Sequence, residues 1–170
     1  MSGHKIDLFV RTWEYEAAQT LRLLKSLPSD RYDFRPDPQG RSLGEMAWHL
    51  AEAEAFMSTG AEVGRLDPSV RPPGLERPRT IEALAPGYER IHREAVARVL
   101  KLNDEDLDRS IPFLGDQQIT IGQLLRIALL HHLIHHRGQL ALICRLAGGV
   151  PYGLYGPTRE DTEAMRAKAT

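Results

Sequence analysis

Residues 120–149, TIGQLLRIALLHHLIHHRGQLALICRLAGG, decide the fold. The stretch contains no proline. It opens with Thr120-Ile121-Gly122-Gln123, in which Thr120 and Gln123 are spaced to satisfy each other's backbone donors, and it closes on Gly148-Gly149, a strong helix stop. A proline inside a helix costs about 3 kcal/mol, so long proline-free windows are where helices form. This window predicts one helix of about 28 residues, roughly 40 Å long at the standard rise.

Outward from it, the eleven prolines (28, 36, 38, 68, 72, 73, 78, 86, 112, 151 and 157) leave three further windows, 1–27, 39–67 and 87–111. Each carries apolar residues at three- and four-residue steps. The first aligns Ile6, Val10, Trp13, Ala17, Leu21 and Leu24. The second opens on a capping box, Ser42-Leu43-Gly44-Glu45, and aligns Leu43, Ala47, Leu50, Ala53 and Met57. The third aligns Leu84, Tyr88, Ile91, Ala95, Val99 and Leu102, with Pro86 either in the first turn or at a kink. No run alternates with period two, and hairpin dipeptides are missing from plausible strand pairs. Four amphipathic helices with one stripe each predict an all-α four-helix bundle, with a long second-to-third connection over roughly 61–79. Arg65, Arg71, Arg77 and Arg79 in or beside that connection read as a solvated loop in preference to an anion-binding one.

The chain has 170 residues, which predicts a single domain spanning 1–170. Lys plus Arg is 22 against 23 for Asp plus Glu, a net charge of −1, so the cationic surplus of a nucleic-acid binder is missing. The start, MSGHKIDLFVRTWEYE, lacks an apolar run long enough for a signal peptide, and no stretch approaches a membrane span. Cys144 is the one cysteine, which excludes an intramolecular disulfide and reads as a small core residue. The expectation is a soluble, cytoplasmic protein with no nucleic-acid or membrane partner.

Four of the seven histidines fall in His131-His132-Leu133-Ile134-His135-His136. Positions four apart share a helix face, so His131 pairs with His135 and His132 with His136, and either pair is able to hold one metal ion. From Gln117 through Leu146 there is no Asp or Glu, which argues against a carboxylate-bridged two-metal centre. There is no His-Glu-x-x-His, which excludes the zinc-protease arrangement, and Glu89-Arg90-Ile91-His92 stands alone. His49, beside the second stripe, is the candidate third ligand; His92 reads as structural and His4 as part of a frayed start. Three imidazoles on two helices leave a position open for water or substrate, the mark of a catalytic site. A histidine-only set suits Zn²⁺ first, with Ni²⁺ the runner-up.

The pairing of Arg41-Ser42-Leu43-Gly44-Glu45-Met46-Ala47-Trp48-His49-Leu50 with His132-Leu133-Ile134-His135-His136-Arg137-Gly138-Gln139-Leu140 resembles the DinB/YfiT-like superfamily. Tyr32-Asp33-Phe34-Arg35-Pro36 and Tyr155-Gly156-Pro157 extend the resemblance over nearly the whole chain. It implies an up-down-down-up bundle with a divalent metal on His49, His132 and His136, leaving His131 and His135 as extras. It also implies a homodimer and activation of a low-molecular-weight thiol cosubstrate, as in mycothiol-dependent maleylpyruvate isomerase and bacillithiol S-transferase.

The function expected on this basis is a metal-dependent thiol S-transferase acting on a small-molecule substrate, with no protein side chain required as nucleophile. Arg137 has two readings, contact with an anionic substrate and a cation favouring the carboxyl-terminal half of its helix. The alternatives are a metal-dependent hydrolase, with Glu45 or Glu52 as general acid or base, and a non-catalytic metal-binding bundle. A short helical pattern from Thr158 to Lys168 caps the bundle mouth or meets a partner.

Overall fold

The computed structural model describes residues 3–67, 69, 72–113 and 115–169; Arg71 of the arginine-rich connection lies outside them. Four long helices form the expected all-α bundle. α1 spans His4–Lys25, α2 Leu43–Val63 and α3 Leu84–Val99. α4 is continuous through Ile121–Gln123, Leu124–His131 and His132–Leu146. A fifth helix, α5, runs over Arg159–Lys168. α2 packs against α3 and α4, and α1 packs against the same two.

Local chemistry sets the helix ends. Both capping boxes form: Glu45 N–H donates to Ser42 Oγ at 3.2 Å, and Gln123 N–H donates to Thr120 Oγ1 at 3.2 Å. Pro86 sits in the first turn of α3, where its missing N–H costs nothing. Gly148 adopts φ 87° after α4, and Gly149 N–H donates to Cys144 O at 2.9 Å, closing the helix as a left-handed cap. α1 is capped from a distance instead. Asp104 accepts from Lys5 N–H and Ile6 N–H, each at 3.1 Å, and a Cβ on Gly3 would meet the Asp104 carboxyl carbon at 2.1 Å. That cap fixes His4 as the first residue of α1, not a frayed one.

The predicted stripes are the core. Ile6, Val10, Trp13, Ala17 and Leu24 of α1, Leu43, Ala47, Leu50 and Ala53 of α2, and all six residues of the third stripe are buried, while Leu21 and Met57 are partly so. Each fully buried large apolar side chain contributes roughly 1.5–3 kcal/mol. The long connection from α2 to α3 is pinned rather than loose. Leu75 and Ile81 are buried, Trp48 Nε1 donates to Leu75 O at 3.3 Å, and Tyr32 OH donates to Pro78 O.

Three expectations are corrected. First, α4 is not one uniform α-helix, because Leu124–His131 is wound as a π-helix. Its buried residues, Leu124, Leu125, Leu129 and Leu130, recur every five positions, and a helix with i→i+5 bonding keeps such positions on one face. Second, a small antiparallel hairpin pairs β1 (Ser110–Pro112) with β2 (Gln118–Thr120), in register Ile111 with Ile119. With three residues a side it is too short for period-two patterning to register. Third, Arg137 neither faces solvent nor serves a helix end. It is fully buried, ion-paired with Glu16 of α1, and donates to Glu16 O at 2.7 Å and to the Tyr155 hydroxyl. Tyr155 OH in turn donates to Glu16 Oε2 at 2.7 Å, so the chain after α4 is tied to α1 through the same carboxylate.

A second buried carboxylate joins three helices. Glu54 of α2 accepts from Trp13 Nε1 of α1 at 3.0 Å, from Tyr88 OH of α3, and from His92 Nδ1 of α3 at 2.8 Å. Burial, reinforced by Glu54, keeps the Tyr88 hydroxyl protonated well above its ordinary range. No residue of α5 is buried. The helix is held to α4 by Arg145, whose Nη1 lies 2.6 Å from Glu160 Oε1.

Candidate metal centre

His49 stands on α2 beside its buried stripe, and His132 and His136 stand one turn apart on α4, immediately after the π segment. All three are partly buried, and their ligand nitrogens lie within 4.8 Å of one another, a group able to hold a metal ion. His49 Nε2 and His132 Nε2 are 3.1 Å apart. Two nitrogens bound tetrahedrally to Zn²⁺ at about 2.0–2.1 Å sit about 3.3 Å apart, so the pair is spaced for one shared cation. The His132 and His136 ring centroids are 4.3 Å apart, and those of His49 and His136 are 4.7 Å apart.

The tautomer of His136 is set by its neighbour. His136 Nδ1–H donates to Gln139 Oε1 at 2.6 Å, which leaves the Nε2 lone pair unprotonated and available. His49 Nδ1 faces Glu52 Oε2 at 3.9 Å. Burial brings the His132 pKa down to about 4, helped by the neighbouring His136 and His49. Burial also lowers His136, against a smaller upward pull from Gln139. Both rings are therefore neutral at pH 7, the protonation state a metal ligand needs.

His131 and His135 are exposed on the outer face of α4, outside the group. His92 is engaged with Glu54. Cys144 is buried, and burial pushes its thiol pKa up, which suits a core residue. Glu45 is committed elsewhere: it caps α2 and pairs with Arg35 at 2.7 Å and Arg77 at 3.1 Å. The Arg35 hydrogen bond, with the Ser42 backbone N–H, holds its carboxyl at about 2, far from a general base at neutral pH. Arg77 is thus not the solvated loop residue its position predicts. Sequence reading missed Gln139; its place three residues after His136, on the same helix face, is the signal that finds it.

Residues 12–140 match the family model of the DinB superfamily. The chain belongs to the DinB superfamily. The matched span holds all three histidines and Gln139, and leaves Tyr155 and α5 outside. The chain is 32% identical over 158 residues to the uncharacterized protein YrdA of Bacillus subtilis strain 168, covering 92% of this chain and 91% of that protein. Among solved structures it is similar to a DinB-like protein of Bacillus cereus ATCC 10987, with TM-score 0.72 and 26% identity over 86% of this chain and 95% of the other. A second DinB-like protein, YjoA of Bacillus subtilis, shares the fold at TM-score 0.68 and 24% identity, over 85% of this chain and 96% of that one.

Proposed function

We propose that His49, His132 and His136 hold one divalent metal ion, Zn²⁺ first and Ni²⁺ second, and that the protein is a metal-dependent thiol S-transferase acting on a small molecule. The observation that carries the reading is the convergence of three imidazoles, with ligand nitrogens within 4.8 Å of one another and no carboxylate among them. Neutral ligands leave an ion's positive charge uncancelled, and three of them leave a position open. A divalent ion held there supplies a positive centre that lowers the pKa of a low-molecular-weight thiol.

The chain's own part is positional. Gln139 keeps the proton of His136 on Nδ1 and away from Nε2. α2 and α4 hold the three rings from opposite sides. In the transfer the thiol proton passes to solvent, a carbon–sulfur bond forms, and the leaving group departs with its electron pair. No protein nucleophile is needed, and the one cysteine is buried. The hydrolytic alternative loses Glu45 to its arginine partners, which leaves Glu52 as its remaining acid or base. The single-domain arrangement, the homodimer and the cytoplasmic setting belong to the same proposal, since the reaction needs a pool of reduced thiol.

Elemental analysis of tag-free wild type and His136→Ala tests the reading. The expected result is about one ion per chain in wild type and a loss in the variant, followed by thiol-dependent turnover of a small electrophile. An ion bound without turnover would leave a non-catalytic metal bundle. No ion in either protein after addition of Zn²⁺ or Ni²⁺ would overturn the proposal.

A further inference from the structure

On the His49 side of the three-histidine group the surface opens into a groove of about 530 Å³ that includes Arg35, Arg41, Arg77, Glu45 and Glu52 in its lining. Glu52 joins groove and site, since its Oε2 lies 3.9 Å from His49 Nδ1. The charges in the groove are unevenly used. Glu45 is shared by Arg35 and Arg77, and Arg35 also donates to Gly40 O. Arg77 meets Glu45 through Nη1, while its buried Nε–H has no acceptor among the described residues.

Arg41 is exposed, makes no ion pair among the described residues, and shares the groove lining with Glu52, the residue that reaches His49. The amides that open α2 are already taken: Leu43 N–H by Phe34 O, Gly44 N–H by Tyr32 O, and Glu45 N–H by Ser42 Oγ. Any anion in this groove is therefore bound by guanidinium groups and not by the helix terminus. Three arginines against two glutamates leave one positive charge, which matches a single carboxylate better than a phosphate dianion.

We infer that the groove is a subsite for a carboxylate on the small molecule that reaches the three-histidine site, with Arg41 its main contact and Arg77 its second. The inference deepens the thiol-transfer reading and rests on it for the identity of the reacting group. It predicts that the molecule is bifunctional, with its sulfur or electrophilic carbon at the histidines and its carboxylate in the groove. A substrate-recognition role for Arg41 also accounts for an arginine without an ion pair in the groove that adjoins the proposed cation site, where it repels the ion and attracts the ion's anionic ligand.

The test uses the full-length protein loaded with Co²⁺, in which thiol binding is read from the thiolate-to-cobalt absorbance. 3-Mercaptopropionate is expected to bind about ten-fold more tightly than 2-mercaptoethanol. Arg41→Gln should bring the ratio to about one, and Arg41→Lys should retain part of the preference. Equal affinities in wild type, or a preference that survives Arg41→Gln, would overturn the subsite.

If neither thiol gives the band, the thiol-transfer reading fails and the subsite is judged alone, by titrating propionate and inorganic phosphate against the amide NMR signals of residues 40–45. Saturable shifts with propionate that vanish in Arg41→Gln support it. No shift, or a response to phosphate alone, refutes it.

Discussion

Two histidine-bearing clusters share α2 and have opposite chemistry. Around Glu54 every strong group is matched: a buried carboxylate accepts from Trp13, Tyr88 and His92, and three helices are locked together by the result. Around His49, His132 and His136 the ligand nitrogens meet mainly one another, within 4.8 Å and with His49 Nε2 and His132 Nε2 3.1 Å apart, and the Glu52 carboxylate stands 3.9 Å from His49. A saturated cluster is scaffold, because each group is already in its lowest-energy company. A cluster beside the surface whose nitrogens meet mainly one another is a candidate site, because it is able to take a ligand the chain does not carry. His92 and His49 both border an apolar stripe, so the presence of histidine does not distinguish the two roles.

Three perturbations break or sharpen this contrast. The largest effect is expected from Glu54→Ala, which strands two buried donors, Trp13 and Tyr88, and the partly buried His92. Metal-free protein should lose about 3–5 kcal/mol in urea unfolding, with metal stoichiometry kept in the folded fraction. A loss under about 1 kcal/mol would show that the network is not what locks the helices.

Next, Gln139→Ala should weaken metal binding about 10–100-fold in chelator competition, because the tautomer of His136 is no longer fixed. The metal-free protein should keep its stability, since Gln139 is exposed. Unchanged affinity would show that the Gln139 bond does not prepare the ligand.

The smallest effect lies in pH. Folding lowers His132 from its ordinary value of 6.5 to about 4, so between those values the unfolded chain binds more protons than the folded one. The corresponding stability is complete above pH 6.5 and is lost as pH falls toward 4. Metal-free His132→Gln should show a shallower fall over that window than wild type, and an identical pH profile would refute the assignment.

Much of this contrast was legible in the sequence, and the part that was not has a common physical cause. Helix ends at Ser42, Thr120 and Gly148 follow from residues within a turn of one another, and the pairing of His132 with His136 on one face of α4 follows from a four-residue spacing. These are local rules, and they held. What escaped depends on partners far along the chain: Asp104 capping α1, Arg77 crossing to Glu45, and Arg137 finding Glu16 across 121 positions. An arginine's type and position do not announce its carboxylate. The π segment is intermediate, since the five-residue spacing of Leu124, Leu125, Leu129 and Leu130 is visible but blends into an otherwise helical pattern.

That segment also makes the position of the site a matter of residue count. Thr120 anchors one end of α4, and the chain must accommodate 11 residues before it presents His132. Each residue of an α-helix turns the face by about 100°. Removing one residue between Leu124 and His131 would let the segment relax to ordinary winding with His132 and His136 kept near their present face, because an i→i+5 turn holds more residues than an α turn. A change that straightens the segment without shortening it would instead turn both histidines away from His49 by more than about 100°, so the length and the winding of this stretch have to change together for the face to be kept.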